Sequence, residues 1–281
     1  MPILERTGKP ALHYVVDDFT DPWRNAPYLI LQHGNGRSAQ FWYRWVPYLA
    51  RFYKVVRPDV RGLGQSSADF DLEREFTIEH CVGDLVDIIA ALGADSVHVC
   101  GESIGGVLSI VLAATHPKLV RTLSLVSTPA FINRTSKTTY AAGHASRIDA
   151  VEELGRKAWL EATNASMRFP PGTDPGLLEW YNAEFLKNRP EVQRAMVTLV
   201  NSANAQPYLP RIEAPVLGLY PTGGQITDAE QERMLASGIR NLRVVHLPIS
   251  FHKVQLVFAA ACATQVLHFI SQHDGVSCRE A

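Results

Sequence analysis

The chain has 281 residues, of which 46% are hydrophobic, and its formal net charge at pH 7 is −1. This length and composition predict one large packed domain with room for an insertion. The near-zero charge gives no electrostatic reason to expect nucleic acid or an anionic membrane as a partner. No apolar run approaches the roughly 20 residues of a membrane-spanning helix. The N-terminus lacks a signal-peptide pattern, so a cytoplasmic protein is expected.

The four cysteines, at positions 81, 100, 262 and 278, are scattered and show no metal-ligand spacing. Cys81 and Cys100 stand in apolar surroundings, as small core residues do. We therefore expect no metal and no cofactor, and a small molecule as the substrate. Nothing in the sequence indicates the oligomeric state.

Strand-like apolar runs alternate with helical runs through the first half of the chain. The predicted strands are residues 11–16, 27–32, 53–57, 96–100 and 123–126. Ser38 is the expected N-cap of a short helix, and residues 77–92 and 106–115 have helical spacing. Such alternation predicts an α/β fold with a mostly parallel, doubly wound sheet.

The strand signal disappears between residues 131 and 204. Helical spacing occurs there at residues 150–162, 177–186 and 191–202, with breakers such as Pro170-Pro171-Gly172 between. Strand and helix runs then resume at 215–220, 228–236, 242–247 and 254–271. This pattern predicts a core formed by residues 1–130 and 205–281, with 131–204 as a helical cap insertion.

A nucleophile motif lies between a predicted strand and a predicted helix. Gly101-Glu102-Ser103-Ile104-Gly105 fits G-x-S-x-G, in which a strained turn exposes a serine hydroxyl and the glycines keep side chains out of the turn. The alternative is a glycine-rich turn whose serine only caps the helix. The position after a strand and before a helix favours Ser103 as a nucleophile.

Two further motifs stand in register with this one. His33-Gly34-Asn35-Gly36 follows an apolar strand, and Asp59-Val-Arg-Gly-Leu-Gly-Gln-Ser66 follows the next. With these motifs the chain resembles the α/β-hydrolase family over its whole length except residues 131–204. The resemblance implies that fold, with a variable cap at the insertion.

The resemblance also implies roles for individual residues. The base would be a histidine after the last strand, which is His252 here. His246 and His268 are competitors, but the first is expected within a strand and the second on the core face of a helix, so structural roles are expected for both. The oxyanion donors would be the backbone N–H groups of Ile104 and Asn35. His33 is expected to support its loop by hydrogen bonding.

The triad acid departs from the family pattern. Gly224 stands where the family carries Asp or Glu, and no carboxylate follows the strand at 123–126. Asp228 is the tentative acid, although a carboxylate at this position is more typical of the first turn of a helix. Glu102, next to the nucleophile, is a second candidate, and a Ser–His pair without an acid is a third possibility.

The predicted cap supplies aromatic side chains that could close an apolar pocket, among them Trp159, and Trp42 is expected in the pocket wall. No arginine cluster is apparent in the sequence, and Arg37 could meet a substrate carboxylate or be solvated. The prediction is a serine hydrolase that cleaves a carboxylic ester or lactone of a small, largely apolar substrate through a Ser103 acyl-enzyme, with His252 as the base. The alternatives are a carbon–carbon bond hydrolase of a ring-cleavage product and a ligand-binding protein on the same scaffold.

Overall fold

One eight-stranded sheet forms the centre of the molecule, in the order β1-β2-β4-β3-β5-β6-β7-β8. The computed structural model describes residues 2–278. Strand β2 is antiparallel to β1 and β4, and β3 to β8 are parallel. The strands are β1 Ile3–Arg6, β2 Lys9–Asp17, β3 Tyr28–Gln32, β4 Lys54–Pro58, β5 Val97–Glu102, β6 Val120–Val126, β7 Val216–Pro221 and β8 Leu242–Leu247.

Helices cover both faces of this sheet, as the strand-and-helix alternation predicts. They are α1 Val46–Leu49, α2 Ile78–Ala91, α3 Ile104–Thr115, α4 Arg134–Ala141, α5 Arg147–Leu154, α6 Arg156–Thr163, α7 Pro175–Leu186, α8 Pro190–Ser202, α9 Ala229–Gly238, α10 Val254–Val257 and α11 Ala259–Asp274. The apolar residues of α2 and α3 pack on one face of the sheet, and those of α1 and α11 pack on the other. The predicted fold class, a mostly parallel doubly wound sheet, is confirmed.

The sequence pattern missed three local features. The edge strand β1 and helix α4 were not predicted, because β1 is short and half exposed and α4 is mostly polar. The helix predicted at 150–162 is broken at Gly155, whose φ of +79° ends α5 and begins α6. Glycine adopts this conformation without the steric cost that other residues bear.

Five helices, α4 to α8, lie between β6 and β7, and we call residues 131–204 the helical insert. A β-bridge between Phe131 and Asn204 joins its two ends. Its interior is apolar and includes Tyr140, Trp159 and Phe185. The Nδ2 of Asn188 donates to the carbonyl of Gly36 at 3.0 Å, so the insert contacts the turn that follows β3.

Within residues 2–278, no helix combines the length and the apolarity that crossing a membrane would require.

Candidate active site

Ser103 occupies a strained turn at the end of the central strand β5. Its backbone has φ 55° and ψ −123°, a conformation that costs a non-glycine residue free energy and persists where the surroundings enforce it. The Ser103 N–H donates to the carbonyl of Val126 at 3.0 Å, and its own carbonyl accepts from Gly106 and Val107 in the first turn of α3. The turn is therefore held by both the sheet and the helix, with the side chain at the carboxyl edge of the sheet.

Glycine is needed on either side of this serine because the chain packs closely against its neighbours. A Cβ at Gly101 would overlap the Gly105 carbonyl and the Ser109 hydroxyl, and a Cβ at Gly105 would overlap the carbonyls of Gln32 and His33. The G-x-S-x-G spacing thus lets α3 approach the ends of β3 and β5.

Two backbone N–H groups near Ser103 have no acceptor. Ile104 is the first residue of α3, where an N–H has no partner within the helix. Neither its N–H nor that of Asn35 donates to any other residue in the part of the chain that the structure describes. These are the two donors that the sequence predicts for an oxyanion hole.

His33 supports the turn that carries Asn35. Its Nε2 accepts from the Val60 N–H at 3.0 Å, so the ring proton lies on Nδ1, which donates to the Gly34 carbonyl at 2.8 Å. Burial lowers the pKa of His33 despite the opposing charges of Asp59 and Glu102, which keeps the ring neutral. The expected loop-supporting hydrogen bonds are present.

His252 lies in the loop after β8 and is buried beneath the helical insert. Its N–H donates to the Met167 carbonyl at 2.9 Å, and the Lys253 N–H donates to that of Arg168 at 3.1 Å. Both acceptors belong to the π-helical turn Asn164–Arg168, a type of helix defect that is frequent at functional sites. The insert therefore fixes the position of this loop.

The imidazole of His252 is neutral and has no hydrogen-bond partner among residues 2–278. Burial, followed by the charge of Lys253, lowers its pKa to about 3, and Glu102 opposes this shift. A neutral ring with two available nitrogens can accept a proton from a nearby hydroxyl.

Glu102 is the carboxylate beside His252. Its Oε1 lies 3.6 Å from the His252 Nε2 and accepts a 2.6 Å charged hydrogen bond from the Lys253 Nζ, and all three side chains are buried. Burial alone would raise the pKa of Glu102, but the charge of Lys253 and its hydrogen bond, together with the charge of Arg37, hold that pKa below its usual value. The carboxylate is therefore ionised and shared between a lysine and the histidine.

Asp228 is engaged elsewhere. It is the N-cap of α9, where its Oδ1 accepts from the Gln231 N–H at 2.9 Å and its Oδ2 accepts from the Asn133 Nδ2 at 3.0 Å. The structure brings Glu102, and not Asp228, next to His252. From the sequence, Asp228 is the tentative acid and Glu102 an alternative; in the structure Asp228 instead caps α9.

The space beside Ser103 is small and apolar. A cavity of about 10 Å³, enough for one water molecule, is bounded by the serine, the Phe131–Ile132 segment, and Val200 and Ala203 at the end of α8. No hydrogen bond joins the Ser103 hydroxyl to His252 within residues 2–278. The helical insert is thus closed over the serine.

The two predicted pocket residues lie in different places. Trp42 is fully buried in the core cluster that includes Trp45 and residues of α11, with its ring 4.8 Å from that of Trp45 and at 76° to it, and it does not border the 10 Å³ cavity at Ser103, so the structure gives no support for its expected position in the pocket wall. Trp159 is buried inside the helical insert and borders a cavity of about 540 Å³. Its Nε1 donates to the Tyr140 carbonyl at 2.9 Å.

The expected core position of His268 is also wrong, because its side chain is exposed on α11. His246 lies in β8 as predicted, with its half-exposed ring bonded to Glu232 at 2.7 Å. Neither ring is part of the buried cluster around His252.

Buried arginines are the feature that sequence reasoning missed. Arg37 is 3% exposed, with its guanidinium carbon 3.6 Å from the centre of the Tyr181 ring, and Arg147 and Arg168 are buried inside the helical insert. These positions are far apart in the chain and follow no common motif, so no sequence signal connected them. Within residues 2–278, no three His, Cys, Asp or Glu side chains are grouped so that they could hold a metal ion.

The geometry and the sequence comparison agree on the family. The profile of the alpha/beta hydrolase fold family matches residues 27–259. The chain belongs to this family.

Individual relatives differ in the activity that their names record. The 2-hydroxymuconate semialdehyde hydrolase of Pseudomonas sp. (strain CF600) is 27% identical over 261 residues, which cover 89% of this chain and 88% of the relative. Karrikin insensitive 2 receptor IA of Petunia hybrida is 26% identical over 192 residues, covering 66% and 69%. The crystal structure of the enol-lactonase from Burkholderia xenovorans LB400 superposes with a TM-score of 0.81 at 26% identity, covering 96% of this chain and all of the other.

Proposed function

We propose that this protein is a serine hydrolase that cleaves a carboxylic ester or lactone through an acyl-enzyme on Ser103. The observation that carries the proposal is the strained backbone of Ser103 at the carboxyl edge of the central strand, followed by an Ile104 N–H that has no acceptor among residues 2–278. A turn held in an unfavourable conformation by both sheet and helix is typical of a functional position. The enol-lactonase similarity supports an ester-type substrate.

In the proposed reaction, the Ser103 oxygen attacks the substrate carbonyl while His252 removes the hydroxyl proton. The negative charge that develops on the carbonyl oxygen is stabilised by the N–H groups of Ile104 and Asn35. His252 then gives its proton to the leaving alcohol, and a water molecule activated by the same ring releases the acid. Since the hydrogen bond between nucleophile and base is often formed only with substrate present, its absence from the closed site is compatible with this chemistry.

Glu102 is the proposed electrostatic partner of His252. When the ring takes up a proton it becomes an imidazolium, and the buried carboxylate 3.6 Å away stabilises that charge. Lys253 shares the same carboxylate at 2.6 Å, so Glu102 supports His252 less completely than an undivided triad acid would.

A carbon–carbon bond hydrolase is the second candidate. It is favoured by the similarity to the 2-hydroxymuconate semialdehyde hydrolase over 89% of this chain, and it would use the same serine and histidine. A ligand-binding role, favoured by the similarity to a receptor, is the third. The fold alone does not choose between them.

The test compares wild type, Ser103→Ala and His252→Ala on chromogenic acetate and butyrate esters and on a vinylogous 1,5-diketone. We expect ester turnover by wild type and a loss of several powers of ten in either variant, with the double variant little worse, because a nucleophile and its base act as a unit. A serine-directed fluorophosphonate should label wild type at Ser103 alone.

Turnover of the diketone without ester turnover would select the carbon–carbon hydrolase, and tight binding of ligands without any turnover would select the receptor. If Ser103→Ala keeps more than about a tenth of the esterase activity, Ser103 is not the nucleophile.

A further inference from the structure

Three buried arginines face the interior of the helical insert without a carboxylate partner. Arg37, Arg147 and Arg168 are 3%, 6% and 4% exposed, and we call them the cationic cluster. Among residues 2–278, Arg37 donates only to the Tyr181 carbonyl, and Arg168 donates to Thr163 and Asn164. In the described part of the chain, none of the three forms an ion pair with Asp or Glu. A buried charge without a partner is strongly unfavourable unless something else supplies the opposite charge.

The structural arginines of the same molecule are arranged differently. Arg57 binds both carboxylate oxygens of Asp17, and Arg61 binds both of Asp84, at 2.6 to 3.0 Å. Burial of arginine in this fold is therefore accompanied by a carboxylate where the role is structural. The cationic cluster departs from that rule.

The three guanidinium groups lie along one continuous set of aromatic rings. Arg147 and Arg168 both contact the faces of Tyr140 and Trp159, with guanidinium carbons 4.6 and 4.9 Å from the Trp159 ring centre. The Trp159 ring lies 6.0 Å from that of Phe185, which Arg37 approaches to 5.0 Å. Contacts with rings compensate a cation only in part, and the charge of Glu102, which reaches Arg37, is shared with Lys253, so a net positive charge remains on the cluster.

Several donors in this region remain unused. The Nε atoms of Arg37 and Arg147 and the hydroxyl of Tyr181 are buried and have no hydrogen-bond partner among residues 2–278. The cavity of about 540 Å³ is bordered by Arg147, Trp159 and Phe185, and this volume suits a small organic ligand. Of the cluster, Arg147 brings its positive charge and unused donor to the edge of this space, which Glu152 and Glu191 border as well.

We propose that the cationic cluster binds a carboxylate group of the substrate, so that the preferred substrates are esters or lactones that carry a free carboxylate besides the bond that is cleaved. This inference rests on the proposed hydrolase function and adds the substrate class to it. Planar guanidinium groups match carboxylate geometry, and such charged hydrogen bonds are about twice as strong as neutral ones.

The bound anion would also act on His252. Besides burial, the charges of Lys253, Arg168 and Arg37 lower the pKa of this ring, and Glu102 alone opposes them. A substrate carboxylate beside the arginines offsets their charge and raises the pKa of His252 towards the range in which a base is effective near neutral pH. Anionic substrates would therefore improve the base as well as the binding.

The occupied site needs a small shift of α8. Val197 on this helix borders the 540 Å³ cavity, and Val200, one turn later, borders the cavity at Ser103. A substrate that joins the two spaces would displace this part of α8 from its closed position.

The first experiment measures kcat/KM for 4-nitrophenyl hemiglutarate and for the uncharged 4-nitrophenyl valerate. We expect wild type to prefer the anionic ester at least about 10-fold, from the usual strength of charged hydrogen bonds. Arg147→Met should lower this ratio about 10-fold. The matched control is Arg194→Met, which removes an exposed arginine that borders the same cavity but is paired with Glu152. An unchanged ratio is expected for the control.

The second experiment does not depend on turnover. In Ser103→Ala, monomethyl glutarate should raise the Tm by several degrees, and uncharged methyl valerate should not. Adding Arg147→Met should remove the shift, and Arg194→Met should leave it. The inference is overturned if Arg147→Met and Arg194→Met change the kcat/KM ratio and the Tm shift equally. It is also overturned if uncharged methyl valerate raises the Tm as much as monomethyl glutarate, or if inorganic phosphate raises the Tm while carboxylates do not. Failure of ester turnover with a retained Tm shift would refute the proposed hydrolysis and keep the carboxylate site.

Discussion

Glu102→Gln should destabilise the protein more than any other single charge removal in the active-site region. The change keeps the shape of the side chain but leaves Lys253 buried, 4% exposed, without its carboxylate. It also removes the negative charge that offsets the nearby Arg37. The variant therefore tests whether Glu102 balances the buried cations.

The magnitude follows from the geometry. At 2.6 Å and an effective dielectric constant of about 20, the attraction between Glu102 and Lys253 is about 6 kcal/mol before the desolvation of both groups is subtracted. Breaking one partner of a buried pair costs about 3–5 kcal/mol, since the other charge remains. Lys253→Met should cost less than Glu102→Gln, because the charge of Arg37 still compensates the carboxylate. The double variant should cost less than the sum of the singles by at least about 2 kcal/mol.

Urea unfolding at pH 7 and constant ionic strength measures all four free energies. The reasoning is refuted if the two single costs add in the double variant, or if Glu102→Gln costs less than about 1 kcal/mol. Turnover at a temperature where every variant is folded gives a second readout. In Glu102→Gln the carboxylate that stabilises the His252 imidazolium is lost. Because Glu102 also binds Lys253, this loss should lower kcat about 10- to 100-fold. Removing a triad acid that binds the histidine alone lowers it roughly 10⁴-fold.

Two further predictions concern Asp228 and His252. Asp228→Asn should cost about 1 kcal/mol and leave kcat unchanged, because asparagine is an equally good N-cap but its Nδ2 cannot accept the hydrogen bond from the Asn133 Nδ2; a loss of about 10³-fold or more would identify Asp228 as the acid after all. For His252, the folded pKa of about 3 lies below the unfolded value near 6.5, so only the unfolded chain gains a proton between these values and the stability contribution is lost as pH falls through them. Between pH 7 and pH 5, wild type should lose about 2 kcal/mol of unfolding free energy relative to His252→Gln, and equal pH dependence of the two proteins in urea titrations would contradict the depressed pKa.

Much of the fold could be predicted because its signals are local. Each parallel strand is a short apolar run, and the turns that follow β3 and β5 contain glycines whose positions are dictated by close packing, as at Gly105. Edge strand β1 and polar helix α4 were missed because both lack a strong apolar pattern. Strand β1 forms by pairing with the adjacent β2, and α4 packs against the adjacent α5, so both depend on these partners more than on an apolar pattern of their own.

The active-site residues also divide into those whose placement follows from local motifs and those whose placement depends on tertiary packing. The turn conformation of Ser103 and the hydrogen bonds of His33 follow from motifs of four or five consecutive residues, and they were predictable. The place of Trp42 was not, because an aromatic residue near a predicted turn can face either the pocket or the core. Its burial beside α11 is decided by packing on the far side of the sheet.

The charges around His252 show why the substrate is harder to predict than the chemistry. Arg37 follows β3, Arg147 and Arg168 belong to the insert, and Glu102 ends β5, so only the folded chain brings them together. In the sequence, each arginine on its own is compatible with a solvated surface. Their charges act together only when folding buries the three side chains near one another. Since the π-helical turn ending at Arg168 also accepts the backbone hydrogen bond that holds Lys253, the insert that would select the substrate also positions the base. A change in the insert that alters substrate preference should therefore alter the pH dependence of turnover as well.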